Sequence, residues 1–308
     1  MSVRDLLLLC HGDAKADDGA GDMARALKSR SKRQAQKLGA WLQEQGHAPD
    51  IAVASPAERA LVSVEKALKA GGGTARSIVT DQRLYRASVV DQVSALSDRA
   101  APAMLCSGHP DTLTDLLRHL APDAPAMRPG SLAHVRLRGG ALGKGTGRVK
   151  RLVAANDLPD SFPFPGPGWP ERRPRPAYYY TQSAALPYRR HKGAVQVLLV
   201  TTSSGRKWGI PKGICEPGLS PQDSAAKEAL EEAGVMGRIG AVRLGQYDHA
   251  KWGAICTVAV YPMDVTKVLS DSQWDESHRQ REWVSPHKAA ARVAHPDLAR
   301  IVAGFRGG

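Results

Sequence analysis

Short, unbroken apolar runs alternate with longer stretches of helical spacing through the first half of this chain. Residues 6–9 are four leucines closed at once by Cys10-His11-Gly12, the pattern of a strand buried on both faces. A helix running through residues 34–42 follows, entered from 22–27, then a strand at 51–54 and a second helix opened by Ser55-Pro56 and carrying Arg59. Residues 104–106 read as a strand ending at Ser107-Gly108-His109-Pro110, followed by a helix over 113–120 and a last strand at 131–133. Strands alternating with helices predict a mainly parallel α/β sheet. Functional residues of such sheets gather just past the carboxyl ends of strands, and His11, Arg59 and His109 all fall there. The second half reads differently. Strands are expected over 177–186, 195–201, 239–244, 254–261 and 281–284, with a strong helix from Gln222 to Ala233 and two more from Pro286 and Pro296. This is the pattern of a mixed sheet between helices.

At 308 residues the chain exceeds the usual size of one core, so two domains are expected: residues 1–155 and 177–308. Between them, 156–176 is rich in proline, with seven in its last nineteen residues. Such a run cannot join a helix or a central strand, and reads as an extended, semi-rigid spacer. Phe162, Phe164 and Trp169 are odd in a free spacer and are expected to pack on one of the domains. Cys10, Cys106, Cys215 and Cys256 are scattered without a C-x-x-C, which argues against a disulfide framework or a zinc site. No run is long enough to span a membrane, and the expectation is a soluble, cytoplasmic protein. The net charge of +13 invites a nucleic-acid reading, but the surplus is spread evenly and no helix-turn-helix or RRM signature accompanies it. An evenly basic protein handling phosphate-rich small molecules fits better, with no specific nucleic-acid binding and no membrane partner.

The densest chemistry lies in residues 213–235, GICEPGLSPQDSAAKEALEEAGV. Glu228, Glu231 and Glu232 stand at i, i+3 and i+4 of the helix, on one face, where their mutual repulsion is relieved by a hard cation such as Mg²⁺ or Mn²⁺. A solvated acidic face is the commoner fate of such helices. The Gly-rich loop from Pro211-Lys212-Gly213 to Gly218, leading straight into the helix, decides against it. These residues resemble the Nudix box, G-x5-E-x7-R-E-U-x-E-E-x-G-U with U apolar. Gly213, Glu228, Ala229, Glu231, Glu232, Gly234 and Val235 match in register. Leu219 stands in place of the first Glu and Lys227 in place of the Arg. The resemblance implies an α/β/α sandwich with a mixed sheet, hydrolysing phosphoanhydrides with Mg²⁺ or Mn²⁺ held by Glu228, Glu231 and Glu232. The flanks resemble the diphosphoinositol polyphosphate and diadenosine polyphosphate branch: W-x-x-P-K-G from Trp208 to Gly213, and Arg279-x-Arg281-Glu282-Trp283. Lys212, Gly213 and Lys251 are the expected substrate contacts, among a set of cations that also includes Arg189, Arg190, Lys192, Arg206 and Lys207. Glu276, downstream, is an alternative water-orienting acid, and Glu216, in the loop, a weaker one.

Residues 1–155 resemble the histidine phosphatase superfamily, especially its short phosphohistidine phosphatase branch, in C-H-G at 10–12, S-P-x-x-R-A at 55–60 and S-G-H-P at 107–110 after a strand. The resemblance implies a three-layer fold in which His11 accepts a phosphoryl group while Arg59 and His109 stabilise its oxygens. Cys10 replaces the Arg of R-H-G, a main phosphate clamp, and a neutral thiol is no bidentate donor. Arg25 is the candidate to compensate, and the expectation is a weakened phosphatase domain. Two other readings of the whole chain stay open: a hydrolase of oxidised or damaged nucleoside triphosphates, and a catalytically weak sensor of a phosphorylated ligand.

Overall fold

The computed structural model describes residues 3–73, 78–99, 101–165 and 171–307. The chain divides into two compact units, Met1–Pro176 and Ala177–Gly308. Among the described residues no helix is long and apolar enough to cross a membrane.

In the first unit the leucine run forms the centre of the sheet. Strands β1 (Asp5–Cys10), β2 (Ile51–Ala54), β3 (Ile78–Thr80), β4 (Ala103–Gly108), β5 (Ser131–Leu137) and β6 (Gly147–Ala154) lie in the order β3-β2-β4-β1-β5-β6. The first four run parallel, and β5 and β6 run antiparallel. Because successive side chains of a strand point to opposite faces, β1 feeds two cores. Leu6, Leu8 and Cys10 join α3 (Val89–Ser97) and α4 (Pro110–Leu120), while Leu7 and Leu9 join α1 (Ser29–Glu44) and α2 (Glu58–Ala70). The result is the expected three-layer, mainly parallel α/β unit. The pairs α1 and α2 touch closely at Gly39, where a Cβ would lie only 1.9 Å from the carbonyl oxygen of Ala67.

Residues 156–176 do not form a free spacer. They lie within the first unit, where β7 (Phe162–Phe164) and β8 (Glu171–Arg173) make a small hairpin. Phe162 is fully buried, with the Arg33 guanidinium 5.2 Å from its ring centroid, and Lys37 reaches Asp160 at 3.2 Å. Phe162 buries here, and α1 supplies Arg33 to the backbone carbonyls of Asp160 and Pro174 and Lys37 to the Asp160 carboxylate. Trp169 lies outside the described residues.

The second unit is an α/β/α sandwich on a mixed sheet. Its strands are β9 (Thr181–His191), β10 (Ala194–Thr201), β11 (Trp208–Gly209), β12 (Lys212–Ile214), β13 (Val235–Ile239), β14 (Gly245–Lys251), β15 (Ala254–Val268) and β16 (Arg281–Val284). The main path is β11-β10-β9-β15-β13, with β12 added to β9, β14 to β15 and β16 to β10. Only β9 and β15 pair in parallel. On one face α5 (Pro221–Ala233) packs through Ala225, Ala229 and Ala233; on the other, α6 (Pro286–Arg292) and α7 (Pro296–Gly304) pack through Ala289, Leu298 and Val302. The strand expected over 239–244 stops at Ile239, and Val242 is exposed. It is replaced by β14, whose sequence GQYDHAK carries too few apolar residues to announce a strand. A two-residue turn, Trp252-Gly253, joins β14 to β15 with both residues left-handed at φ 53° and 74°, the conformation that follows the twist of a hairpin.

Gly39→Ala tests the helix contact. Overpacking against backbone cannot be relieved by rotating a side chain, so the substitution is expected to destabilise the first unit by about 2–3 kcal/mol, read from urea unfolding. An unchanged midpoint would show that α1 and α2 are not in contact at this position.

Candidate functional site

Helix α5 begins at Ser220, whose hydroxyl accepts from the Asp223 N–H, and ends at Gly234 in the left-handed conformation at φ 61°. With its alanine face buried, Glu228, Glu231 and Glu232 are left on the side facing the Gly-rich loop. Gly213 makes room there: a Cβ at this residue would lie 1.9 Å from Glu228 Oε1, so only glycine leaves the carboxylate its place. Burial, followed by repulsion from Glu232 and Glu231, pushes Glu228 up to about 7.

The other two carboxylates have protein partners. Glu232 Oε2 accepts from the Lys212 backbone N–H at 2.9 Å, and Oε1 accepts from the Arg279 guanidinium at 2.8 Å. The side chain of Arg279 is only 8% exposed, and it also donates to the Thr201 carbonyl oxygen and to Glu276. Glu276 is therefore held by Arg279. Glu231 pairs with Lys227 at 3.5 Å. Among the described residues no three His, Cys, Asp or Glu side chains are gathered as a ready-made metal cage. The donor chemistry suits a hard divalent cation all the same: carboxylate oxygens only, crowded on one helical face, with Glu228 seated in the place that Gly213 leaves.

A cavity of about 430 Å³ opens beside this helix, lined among others by Lys207, Lys212, Glu232, Tyr247, Lys251 and Arg279. Tyr247, His249 and Lys251 come from alternate positions of β14 and so share one face; all three line the cavity. Burial lowers the Lys212 ammonium below its usual value, helped by Lys251, and drives His249 down to about 4 by burial with Lys212 and Lys251 beside it. A pocket that depresses its own cations in this way favours an anion that restores their charge. His295, also in the wall, is occupied structurally: Nε2 donates to the Asp248 carbonyl oxygen at 2.9 Å and Nδ1 accepts from the Asp297 N–H that opens α7. Of the sequence-derived cations, Lys207, Lys212 and Lys251 line the cavity. Arg189 bonds Gln196 and stacks 4.3 Å over Trp283 instead. Tyr247 and His249 had no motif to mark them.

In the first unit, His11, Arg59 and His109 converge at the carboxyl ends of β1, β2 and β4. His11 Nδ1 lies 2.7 Å from the Gly12 carbonyl oxygen. A carbonyl only accepts, so Nδ1 carries the proton and Nε2 is bare. That Nε2 accepts from Arg59 Nε at 3.2 Å and faces His109 Nδ1 at 3.1 Å; His109 Nε2 meets the Ser55 hydroxyl at 3.0 Å. One consistent proton order runs from Ser55 through His109 to His11, whose Nε2 lone pair then faces both the His109 Nδ1–H and Arg59. Burial lowers both rings, His109 to about 4 with His11 and Arg59 adding to the effect.

Asp22 is the residue that the sequence did not mark. It accepts from Arg59 at 2.8 Å, from Arg25 at 3.0 Å and from the Tyr85 hydroxyl at 2.8 Å. These bonds, Tyr85's first, hold its carboxyl far below the usual range. Its only signal in the sequence is a carboxylate in a loop, which most loops contain. Cys10 is 1% exposed in the core cluster with Leu6 and Leu8, and burial pushes its thiol up to about 12. It supplies neither a cation nor a thiolate. Arg25 is engaged with Asp22 and with the Lys15 carbonyl oxygen.

A histidine whose folded pKa lies below 6.5 stabilises the fold fully above that pH, and the contribution is lost as pH falls toward the folded value. The His109 ring is therefore expected to stay neutral at pH 5.5 and to titrate near 4, with unfolding becoming easier as pH falls from 6.5 to about 4. Imidazole ¹⁵N shifts followed against pH measure this, and a His109 midpoint near 6.5 would show that the ring is not held buried beside His11 and Arg59.

The family described as NUDIX domain matches residues 180–305. Nudix hydrolase 16, mitochondrial, of Arabidopsis thaliana is 33% identical over 121 residues, covering 36% of this chain and 66% of that protein. Diphosphoinositol polyphosphate phosphohydrolase 3-beta of Bos taurus is 38% identical over 92 residues, 29% of this chain and 54% of that one. The chain thus spans between about half and two thirds of the length of these curated relatives. Among solved structures, the protein histidine phosphatase SixA complexed with tungstate covers 50% of this chain and 98% of its own, at 20% identity and TM-score 0.42. A C. elegans Ap4A hydrolase covers 40% of this chain and 93% of its own, at 17% identity and TM-score 0.34. Residues 180–305 of this chain thus match the Nudix domain.

Proposed function

We propose that the second unit is a metal-dependent pyrophosphohydrolase cleaving phosphoanhydride bonds in polyphosphorylated small molecules. The observation that carries this reading is the meeting of two opposite charge sets: three carboxylates on one face of α5 and a cavity lined by Lys207, Lys212, Lys251 and Arg279. A polyphosphate placed between them is neutralised from both sides. Glu228, Glu231 and Glu232 would hold Mg²⁺ or Mn²⁺. When bound, such an ion neutralises phosphate charge and acidifies a water molecule. Lys212 and Lys251 grip phosphate oxygens, Gly213 keeps the loop close to Glu228, and Arg279 fixes the direction of Glu232. One of the three glutamates orients the attacking water and takes its proton. Glu276, bonded to Arg279, is the weaker choice for that part.

The substrates proposed are diadenosine polyphosphates, inositol pyrophosphates or nucleoside polyphosphates, in line with the phosphohydrolase names of the relatives. The first unit is read as a weakened, phosphatase-like partner. His11 is placed as the nucleophile, with Arg59 and His109 beside it, but the usual extra cation is absent at Cys10. We place the protein in the cytoplasm, as a polyphosphate hydrolase without nucleic-acid or membrane partners.

The test is a hydrolysis screen of the full chain with diadenosine polyphosphates, inositol pyrophosphates and nucleotides in Mg²⁺. Glu232→Gln is expected to lower turnover by about 100-fold or more, with circular dichroism unchanged because Glu276 still pairs Arg279. Wild-type rates in that variant with every substrate would refute the metal assignment.

A further inference from the structure

The pattern that residues 213–235 resemble leaves position 219 without its carboxylate, since Leu219 stands there with its side chain partly exposed. The chain turns sharply just before it. The Leu219 N–H donates to the Glu216 carbonyl oxygen at 3.0 Å, and Gly218 adopts φ 93° directly after Pro217. Proline at the second place and a left-handed glycine at the third describe a type II turn, whose first and fourth residues lie within about 7 Å of each other. Glu216 and Leu219 therefore leave the backbone at neighbouring points, and a carboxylate on either can address the same stretch of α5.

Glu216 does so. Its Oε1 lies 4.0 Å from Lys227 Nζ, and the same ammonium lies 3.5 Å from Glu231 Oε1. Lys227 is the other residue at which this chain departs from the pattern, and it sits between the two carboxylates. On the reading of α5 as the metal-binding helix, we infer that Glu216 stands in for the carboxylate missing at position 219. It holds Lys227 against Glu231 and thereby fixes where Glu231 points. Glu216 is a positioning residue, acting through Lys227 rather than on substrate. All three side chains are between a third and a half exposed, so the arrangement contributes little to folding. Its effect belongs to the direction of Glu231, and outer partners of a metal ligand commonly change metal affinity 10- to 100-fold.

The experiment uses the full chain as wild type, Glu216→Gln, Leu219→Glu and the double variant. Mn²⁺ affinity is measured by isothermal titration without substrate, beside hydrolysis of diadenosine tetraphosphate in Mg²⁺ and thermal melting. Glu216→Gln is expected to weaken Mn²⁺ binding about tenfold, and Leu219→Glu in that background to return it to within about threefold of wild type. The melting temperature should move by no more than about 3 °C. Wild-type Mn²⁺ affinity in Glu216→Gln, or a double variant as weak as Glu216→Gln alone, overturns the inference while leaving the hydrolase reading in place. A loss of affinity accompanied by a fall of about 10 °C or more in melting temperature also overturns it, assigning Glu216 to folding. A wild-type chain that neither binds Mn²⁺ nor hydrolyses any substrate removes the reading of α5 and the inference together.

Discussion

A guanidinium taken out of water must find a carboxylate, and each unit is arranged around one such pairing. The side chains of Arg59 and Arg279 are 7% and 8% exposed, and a charge left unpaired at that depth is strongly destabilising. Arg59 meets Asp22 and also touches His11; Arg279 meets Glu232 and Glu276 and also the Thr201 carbonyl oxygen on β10. In the second unit that partner, Glu232, is also one of the proposed metal ligands; in the first, the cation itself touches His11. Stability and site geometry are thus one arrangement. The Lys227 pairs differ, since partial exposure screens them, and they can change with little consequence for folding.

Much of the fold was legible because burial writes itself as pattern. The leucines at 6–9 could only be a central strand, and strands alternating with helices required parallel pairing. Where burial is one-sided or slight, the pattern fades. Strand β14 is mostly polar because one of its faces lines a wet cavity, and β6 is an edge strand whose Arg148, Lys150 and Arg151 are exposed. The proline-rich segment misled for a different reason. Proline excludes helix and central strand, but it does not exclude docking, and Phe162 found its burial against α1.

The sites divide in the same way. His11, Arg59 and His109 sit at strand ends, where topology dictates function, and fixed spacing on α5 marked the three glutamates. Asp22 and Tyr85 come from loops, and their part depends on tertiary approach that no spacing encodes. Cys10 was legible as a missing cation, though its burial on the Leu8 face was a matter of strand alternation at the last residue of β1. Gly213 was legible as the first residue of the resemblance; that its missing side chain is the space occupied by Glu228 follows from how α5 packs on the loop.

The hairpin of β14 and β15 has a consequence for the character of the cavity. Tyr247, His249 and Lys251 line it only because β14 is held in one register on β15, from Gly245 opposite Val260 to Lys251 opposite Ala254, by the two-residue turn at Trp252-Gly253. Side chains alternate with a period of two, so a slip of one residue would exchange the whole set. Gln246, Asp248 and Ala250 would then face inward, and an aspartate would stand among lysines. The polarity of this wall is therefore a property of the hairpin's phase as much as of its composition: the same residues, shifted by one, would set a carboxylate where an imidazole now stands.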